Sequence, residues 1–157
     1  VTLDIVGAGV NMAVLEGLVQ EHRVADVVTL SGPVNQDRIR EHYARADCFA
    51  MASFAEGVPV VLMEAMSMQI PCVTSHITGI PELITHEHTG LLTPPSNVDG
   101  LVAQLDRLIA DPDLARRLGE AARLQVQQHY DLQSNAAHLA AIFAERVTDS
   151  PRINRAG

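Results

Sequence analysis

The sequence predicts an α/β fold: a Rossmann-like parallel sheet with helices on both faces and further helices at the C-terminal end. Two observations lead to this class. Short apolar runs of strand length alternate with segments of helical spacing, and Gly, Pro or Ser residues separate them. Strands joined through helices need crossover connections, which make neighbouring strands parallel. We therefore expect strands at residues 1–6, 27–30, 47–51, 71–75 and 90–93, and helices at residues 12–22, 36–46, 59–68, 80–84, 98–110, 112–129 and 132–147.

The first elements are bounded by clear turn residues. The first strand ends at the glycines of the turn 7–9, and the second ends at the Ser-Gly-Pro turn 31–33. The helix between them has a loosely helical apolar spacing, and the next helix places Ile39 and Tyr43 four positions apart on one face. The third strand, at residues 47–51, is a short apolar run of the kind found in buried parallel strands.

The next helix is expected to begin at Pro59, because a proline fits the first helical position, where its missing N–H costs nothing. The residues after it predict a buried helix: Val60, Val61, Leu62, Met63, Ala65 and Met66. Farther on, Asp111 is expected to cap the helix that begins at Pro112. The last three helices exceed what one sheet layer needs.

Length and composition fit one domain, which we place at residues 1–149, followed by a tail at residues 150–157 that we expect to be disordered. Apolar residues make up 47% of the chain and aromatic residues only 3%, so the core must be built mainly from aliphatic side chains. The formal net charge of −8 argues against a nucleic-acid partner, since nucleic acids attract Lys- and Arg-rich surfaces.

The cysteines bear on the cellular compartment. Cys48 and Cys72 lie in apolar runs, where free buried thiols are expected rather than a disulfide, and this favours a reducing, cytoplasmic location. No apolar run approaches the roughly 20 residues needed to cross a bilayer. The chain begins at Val1 on a predicted strand, without a Met or a signal peptide, so we expect a piece of a longer protein. Peripheral attachment to the inner face of the membrane through the missing part is left open.

The most informative segment runs from Glu56 to Glu64. Glu56 lies on a loop punctuated by Gly57 and Pro59, and Glu64 lies inside the apolar helix that follows. A strand, a glycine-containing loop and a helix direct backbone N–H groups and the positive end of the helix dipole to one place, which suits a phosphate. Carboxylates repel phosphate but accept hydrogen bonds from hydroxyl groups. The pattern therefore indicates a nucleotide sugar, in which a diphosphate is flanked by hydroxyls.

Each acid also has a structural interpretation. Glu56 could complement the helix dipole as an N-terminal acid. Glu64 could form a salt bridge, although no Arg or Lys lies between Arg45 and Arg107. Because an unpaired carboxylate among apolar side chains is costly, we favour a ligand for Glu64.

Three motifs in order resemble the retaining GT-B glycosyltransferases of family 4. They are the segment 53–66 with its two acids, the strand 71–75, and the Thr-Gly-Ile-Pro-Glu-Leu turn 78–83. The resemblance continues through residues 89–95 and the helices beyond, and it covers only the C-terminal, donor-binding half of such an enzyme. The motif at residues 56–66, E-G-x-P-V-x-L-M-E-A-M, is most similar to that of the bacterial exopolysaccharide branch, of which colanic acid transferases are an example.

The sequence departs from this family's pattern at two places. Gln69-Ile70 stands where a small residue and a glycine are usual, and Val58-Pro59 replaces a commoner Phe-Gly. The first change affects the loop between a helix and a strand. The proline in the second removes one N–H that would otherwise face phosphate.

The resemblance implies roles for individual residues. Glu56 would be the catalytic acid that touches the donor sugar's hydroxyls near the reacting carbon, and Glu64 would bind the ribose 2′ and 3′ hydroxyls. The other implied donor-binding residues are Gly57, Val58, Pro59, Val60, Val61 and Leu62 at the diphosphate, Gly7 and Gly9 near the nucleotide, and Ser31, Gly32 and Val34 at the base. From the residues alone, the turn 7–9 is better explained as a tight strand-to-helix turn, and a bare turn explains residues 31–34 equally well.

No metal site is predicted. Asp111-Pro112-Asp113 mimics the D-x-D metal motif of the other major glycosyltransferase fold, but it lies between two helices, where capping is the better explanation. His86-Glu87-His88 occupies a polar turn without further ligands.

The predicted function is nucleotide-sugar donor binding in a group 1 glycosyltransferase. The whole enzyme would transfer a hexose, with retention, from a UDP- or GDP-sugar to a polysaccharide or lipid-linked acceptor, without a further cofactor. Its expected partner is the missing N-terminal acceptor domain, and the fragment alone would be inactive because the family's basic residues precede Val1. Two alternatives stay open: a glycogen- or sucrose-synthase-type enzyme of the same fold, and a non-catalytic nucleotide-binding α/β module such as a flavodoxin-like domain.

Overall fold

The structure, a computed structural model, describes residues 1–149, with side chains through residue 146. The predicted tail at residues 150–157 lies outside this range. Every predicted strand and helix is present, with its ends within two residues of the expected ones. The elements are β1 (Leu3–Val6), α1 (Met12–Glu21), β2 (Val28–Gly32), α2 (Gln36–Arg45), β3 (Phe49–Met51), α3 (Val60–Ser67), β4 (Cys72–Ser75), α4 (Ile80–Leu83), β5 (Leu91–Thr93), α5 (Val98–Ala110), α6 (Pro112–His129) and α7 (Leu132–Asp149).

Within residues 1–149, the strands form two parallel sheets, β1-β2 and β3-β4-β5. The sheets belong to two compact units, Val1–Arg45 and the part that begins at Ala46. The predicted α/β class with parallel strands is confirmed. The single domain boundary at residues 1–149 stays a prediction.

In the first unit, β1 and β2 pair in parallel, with Leu3 opposite Val28 and Ile5 opposite Leu30. An irregularity after Ile5 moves Val6 opposite Gly32. Both strands therefore end at glycine-containing turns on the same edge of the sheet, since the carboxyl ends of parallel strands coincide.

A hydrogen-bonded cluster around Asp4 ties together three elements of this unit. The Ser31 hydroxyl of β2 donates to one carboxylate oxygen of Asp4 at 2.5 Å, and Nδ1 of His42 on α2 lies 2.6 Å from the other. An ionised carboxylate only accepts, so Nδ1 carries the shared hydrogen. The Ser31 hydrogen bond, with smaller contributions from His42 and Arg45, holds the pKa of Asp4 below its ordinary value against a modest effect of burial.

The second unit is centred on β4, which lies between β3 and β5. All four residues of Cys72–Ser75 are buried, as expected for a central parallel strand. Val73 lies opposite Ala50 on one side and opposite Leu91 on the other. The largely aliphatic core on this strand joins β4 and β5 to α5 and α6 through Val73, Leu91, Leu108, Leu114 and Leu118.

Helix α3 buries one face, formed by Leu62, Ala65 and Met66, each fully removed from water. The prediction that the whole run is buried is wrong for its first two residues, since Val60 is 62% and Val61 44% exposed. A helix whose residues are almost all apolar gives no periodic signal for its inner face. The expected start also moves by one residue: Pro59 is the extended N-cap residue, with φ −74° and ψ 127°, and the helix begins at Val60.

The C-terminal end of α3 is closed by a Schellman motif. The Ile70 N–H donates to the Ala65 carbonyl, and the Gln69 N–H donates to the Met66 carbonyl. Gln69 therefore adopts the left-handed conformation, with φ 62°, that glycine usually occupies at this position. Its carbonyl lies so close to Gly119 of α6 that a Cβ on Gly119 would collide with it.

The later helices begin as expected. The Asp111 carboxylate accepts a hydrogen bond from the Leu114 N–H at 2.9 Å, with Pro112 at the first position of α6, which confirms the predicted cap. Asn97 caps α5 in the same way through the Gly100 N–H. Over the part of the chain that the structure describes, no helix combines the length and apolar character needed to span a membrane.

Both cysteines are free thiols, as predicted. Burial, with a smaller effect of the Asp47 charge, raises the pKa of Cys48 to about 12. Burial also raises the pKa of Cys72, whose thiol donates to the Ile70 carbonyl at 3.2 Å.

We expect Gln69→Gly to stabilise the protein by about 1 kcal/mol, because glycine removes the cost of a side chain in the left-handed conformation. Urea denaturation measures the change. Gln69→Ala is the matched control, since alanine keeps the unfavourable conformation; an equal gain for both variants would contradict this explanation.

We expect Asp4→Asn to lower the free energy of unfolding at pH 7 by up to about 1 kcal/mol, since exposed ion pairs contribute modestly. The depressed pKa of Asp4 gives a stabilisation that is present above the carboxyl's unfolded value of 3.8 and is lost as the pH falls through the lower folded value. Urea titrations of wild type and variant should therefore differ at pH 7, and the difference should disappear only as the pH falls below 3.8 through the lowered folded pKa. A difference independent of pH would rule out the charge as its cause.

Candidate functional site

The loop between β3 and α3 carries Glu56, which is half-buried. The Ser53 hydroxyl donates to Oε1 of Glu56 at 2.8 Å. This hydrogen bond fixes one carboxylate oxygen within the loop and leaves Oε2 to accept from a further donor. The arrangement is suited to binding a hydroxyl group.

Glu64 is the fifth residue of α3 and is half-buried. Helical periodicity puts it one turn after Val60, away from the face that buries Leu62 and Met66. The sequence-based argument that Glu64 lacks a local partner is wrong, because Glu64 takes part in an interaction within the protein. Its case as a ligand-binding acid therefore rests on its place on this face.

The first turn of α3 uses some of the amides that were predicted to face a diphosphate. The N–H groups of Leu62 and Met63 both return to the Pro59 carbonyl, at 3.2 and 3.3 Å. Val61 also has an interaction of its own. Among the described residues, Val58 and Val60 provide the earlier amides that can face a ligand at this helix start.

Gly57 follows Glu56 and is exposed. A Cβ added to Gly57 would meet no atom within 4 Å, and its backbone is not in the left-handed region. Neither packing nor backbone conformation requires a glycine there. An approaching ligand would benefit from the missing side chain.

Gly79 contacts this loop from the turn before α4. A Cβ on Gly79 would collide with the Gly57 carbonyl oxygen and lie 2.7 Å from its carbon and 3.3 Å from the Val58 nitrogen. The backbone of Gly79, with φ −79° and ψ −9°, is an ordinary one for any residue. Close packing against the Gly57–Val58 peptide, and not backbone conformation, therefore requires glycine at this position.

The first unit brings together the other predicted residues. The Gly7 N–H donates to the Gly32 carbonyl at 2.8 Å, so the turns after β1 and β2 lie side by side. Gly7 (φ 139°) and Gly32 (φ 66°) both need glycine for conformational reasons. Gly7 and Gly9 line a shallow cavity of about 270 Å³ with Ile5, Ala8, Asn11, Met12 and Leu15.

Two further predicted residues lie after β2 in this unit. The Ser31 hydroxyl donates its hydrogen to Asp4, so for a ligand it can act only as an acceptor, beside the backbone of the residue. Val34 follows, half-buried, in the turn before α2. The predicted site thus comprises two groups of residues, Glu56 to Glu64 in the second unit and the glycine turns in the first.

The residues considered for a metal have other roles. Glu87 forms a bidentate ion pair with Arg107, in which the two guanidinium NH groups donate to the two carboxylate oxygens at 2.6 and 3.0 Å. This hydrogen bonding is the largest cause of the lowered pKa of Glu87. Asp113 pairs with Arg116 at 3.0 Å. Among the described residues, no three His, Cys, Asp or Glu side chains are grouped to hold a metal ion. The absence of a metal from the working protein stays a prediction.

Sequence reasoning did not single out Ser53 or the contact made by Gly79. Ser53 lies three residues before Glu56, a spacing at which a serine can bond within a loop, and this signal was available. The Gly79 contact joins two loops that are distant in sequence, and no local sequence pattern indicates it. A depression at the ends of β4 and β5, lined by His76, His86, Leu92, Thr93, Pro94 and Pro95, was also not expected.

The chain is similar to curated bacterial glycosyltransferases. It is 34% identical over 145 residues to the GDP-mannose-dependent α-(1-6)-phosphatidylinositol monomannoside mannosyltransferase of Mycobacterium tuberculosis, covering 88% of this chain and 38% of that protein. It is also 34% identical over 145 residues to an amylovoran biosynthesis glycosyltransferase of Erwinia amylovora, covering 88% of this chain and 36% of that protein. The chain thus spans little more than a third of the length of these relatives.

Among solved structures, sucrose-phosphate synthase from Thermosynechococcus elongatus superimposes with a TM-score of 0.86 at 29% identity, covering 95% of this chain and 39% of that one. The fold is that of the C-terminal domain of a GT-B glycosyltransferase. Residues 1–125 match the profile of the family described as glycosyl transferases group 1, which is most of the chain. The chain therefore belongs to the glycosyl transferase group 1 family.

Proposed function

We propose that this chain is the donor-binding part of a retaining glycosyltransferase of family 4, which transfers a hexose from a UDP- or GDP-sugar to a polysaccharide or lipid-linked acceptor. The observation that carries the proposal is the β3–α3 segment, where a held carboxylate, an unobstructed glycine and a helix start follow one another. A nucleotide sugar offers a matching series of hydroxyls, diphosphate and ribose.

Glu56 is proposed as the catalytic-site acid. With Oε1 held by Ser53, Oε2 is directed by the loop and can accept from a hydroxyl of the donor sugar near its reacting carbon. Glu64, farther along α3, is proposed to accept from the ribose hydroxyls. The two acids then lie at opposite ends of the diphosphate and do not repel it directly.

The diphosphate is proposed to lie against the start of α3, at Gly57, Val58, Pro59, Val60, Val61 and Leu62. Of these, Val58 and Val60 would donate amides, Leu62 would pack beneath, and Gly57 would allow close approach. No Lys or Arg occurs between Arg45 and Arg107, so stabilisation of a departing diphosphate by a guanidinium or ammonium group would need a residue from elsewhere. Basic residues of the strand and helix that the family resemblance places before Val1 are proposed to supply that group.

Gly7 and Gly9 of the first unit are proposed to lie near the nucleotide, and the backbone of Ser31, Gly32 and Val34 is proposed to meet the base. One relative is GDP-mannose-dependent, which supports a GDP-sugar as donor, and a second relative acts in amylovoran biosynthesis. The second supports the exopolysaccharide branch. A cytoplasmic site of action, with peripheral membrane attachment through the missing half, belongs to the same proposal.

The likeness to sucrose-phosphate synthase favours one alternative, an enzyme of the sucrose- or glycogen-synthase type. The two candidates differ in acceptor. Incubating the full-length enzyme with a labelled donor and either a lipid-linked glycan or a hexose phosphate distinguishes them, and NMR of the product's anomeric carbon tests retention.

We expect Glu64→Gln to abolish the rise in melting temperature produced by the best ligand in a panel of UDP, GDP, ADP and flavin mononucleotide. Losing hydrogen bonds to a charged group costs about 1.5–3 kcal/mol, or roughly 10- to 100-fold in affinity. Glu120→Gln, at an exposed acid on α6, is the matched control and should keep the full response. An unchanged response in Glu64→Gln would remove Glu64 from the site, and stabilisation by flavin alone would refute the transferase assignment.

We expect Gly57→Ala to leave the melting temperature of the ligand-free protein nearly unchanged, because its Cβ would point into open space. The same methyl group should weaken the binding of a nucleotide sugar about tenfold or more by keeping the diphosphate away from the backbone. Isothermal titration measures this loss. Gly17→Ala, on α1 and equally unobstructed, is the control and should not alter binding. Tight binding by Gly57→Ala would exclude a close approach at this loop.

A further inference from the structure

The turn between β4 and α4 is held firmly by its surroundings. Its Ile77 is buried, and Ile80 at the start of α4 is fully removed from water. The His76 N–H donates to the Thr93 carbonyl of β5 at 2.7 Å, and the Tyr130 hydroxyl donates to the Glu82 carbonyl at 3.0 Å. Gly79 lies within this fixed segment and is itself buried.

The opposite side of the Gly79 contact is less constrained. Gly57 is exposed, and a Cβ there would find open space. Where a rigid turn meets a loop of this kind, the loop is the part that yields to an added atom. The backbone at Gly79 therefore determines how closely the Gly57–Val58 peptide can approach the turn between β4 and α4.

We infer that Gly79 is a positioning residue for the donor site, because its bare backbone forms the fixed surface on which the Gly57–Val58 peptide rests. The inference rests on the proposed function and deepens it. Gly79 touches no substrate; it acts by fixing the direction of the Val58 N–H and the neighbouring Glu56 carboxylate. These are the groups assigned to the diphosphate and the sugar.

The effect should be confined to one end of the donor. Glu64, assigned to the ribose, is carried by α3, whose inner face of Leu62, Ala65 and Met66 is fully buried. A shift of the Gly57 peptide would move the sugar-binding groups and leave this helix in place. The structure thus separates a sugar-dependent effect from a general loss of binding.

The test compares two glycine variants with the same steric change. Gly79→Ala and Gly119→Ala each drive a Cβ into a backbone carbonyl of the second unit, at Gly57 and at Gln69 respectively. Only Gly79 lies against the loop between β3 and α3, which carries Glu56 and Gly57. Titration calorimetry on the full protein would measure affinities for UDP-glucose and GDP-mannose and for the matching nucleoside monophosphates, with melting temperatures recorded alongside.

Gly79→Ala should weaken the better nucleotide sugar about tenfold or more and change the monophosphate much less, because a displacement of about 1 Å is enough to spoil an oriented site. Gly119→Ala should lower the melting temperature and leave the ratio of the two affinities unchanged. An unchanged ratio in Gly79→Ala, with wild-type binding intact, overturns this inference alone. Failure of the wild type to bind any nucleotide overturns the proposed function and this inference together.

If Gly79→Ala does not fold, Ile80→Val provides a milder change. It removes one fully buried methyl group in the residue next to Gly79 and loosens the turn. The affinity ratio should shift in the same direction by a smaller factor. A ratio equal to that of wild type overturns the inference.

Discussion

β4 lies between two parallel neighbours, and each of its four residues is removed from water. The loop after β3, the helix before β4 and the turn after it are all attached to this strand or to the strands beside it. Because a buried parallel strand has its backbone groups satisfied on both sides, its ends are fixed points. Strand β4 therefore fixes the positions of the residues in the candidate site at the carboxyl edge of the sheet. The loops that follow β3 and β4 meet at Gly57 and Gly79.

The chemistry of the second unit is unusual in its charge. Between Arg45 and Arg107 the chain has acids but no Arg or Lys, and the acid nearest the helix start is held by a serine hydroxyl. Such a segment can accept hydrogen bonds from neutral hydroxyls, and it offers a phosphate backbone amides but no Arg or Lys.

Much of the fold could be predicted from local signals. Alternating apolar runs gave the strands and helices, and Asp111 before Pro112 gave a cap that the structure confirms. The exposure of Val60 and Val61 could not be predicted, because a helix that is apolar almost all round has no periodic pattern to indicate its inner face. The Asp4 cluster joins residues 27 and 38 positions apart, and its members are individually ordinary polar residues.

The candidate site, too, could be predicted only where it depends on local sequence signals. Glu56, Gly57 and Glu64 could be proposed from the sequence because they lie within one short segment with a known spacing, and their roles stay predictions. The support beneath them, Ser53 and Gly79, depends on how loops pack. A glycine in a common backbone conformation gives no sign that a carbonyl lies against it.

Cys48 and Cys72 are the chain's two cysteines, and burial keeps both thiols protonated far above neutral pH. Since the thiolate is the reactive species, maleimides and similar reagents should find little to modify in the native protein. A cysteine introduced at an exposed position would then be labelled selectively without first replacing Cys48 and Cys72. The loop between β3 and α3 can in this way carry a fluorophore or spin label that reports its movement directly.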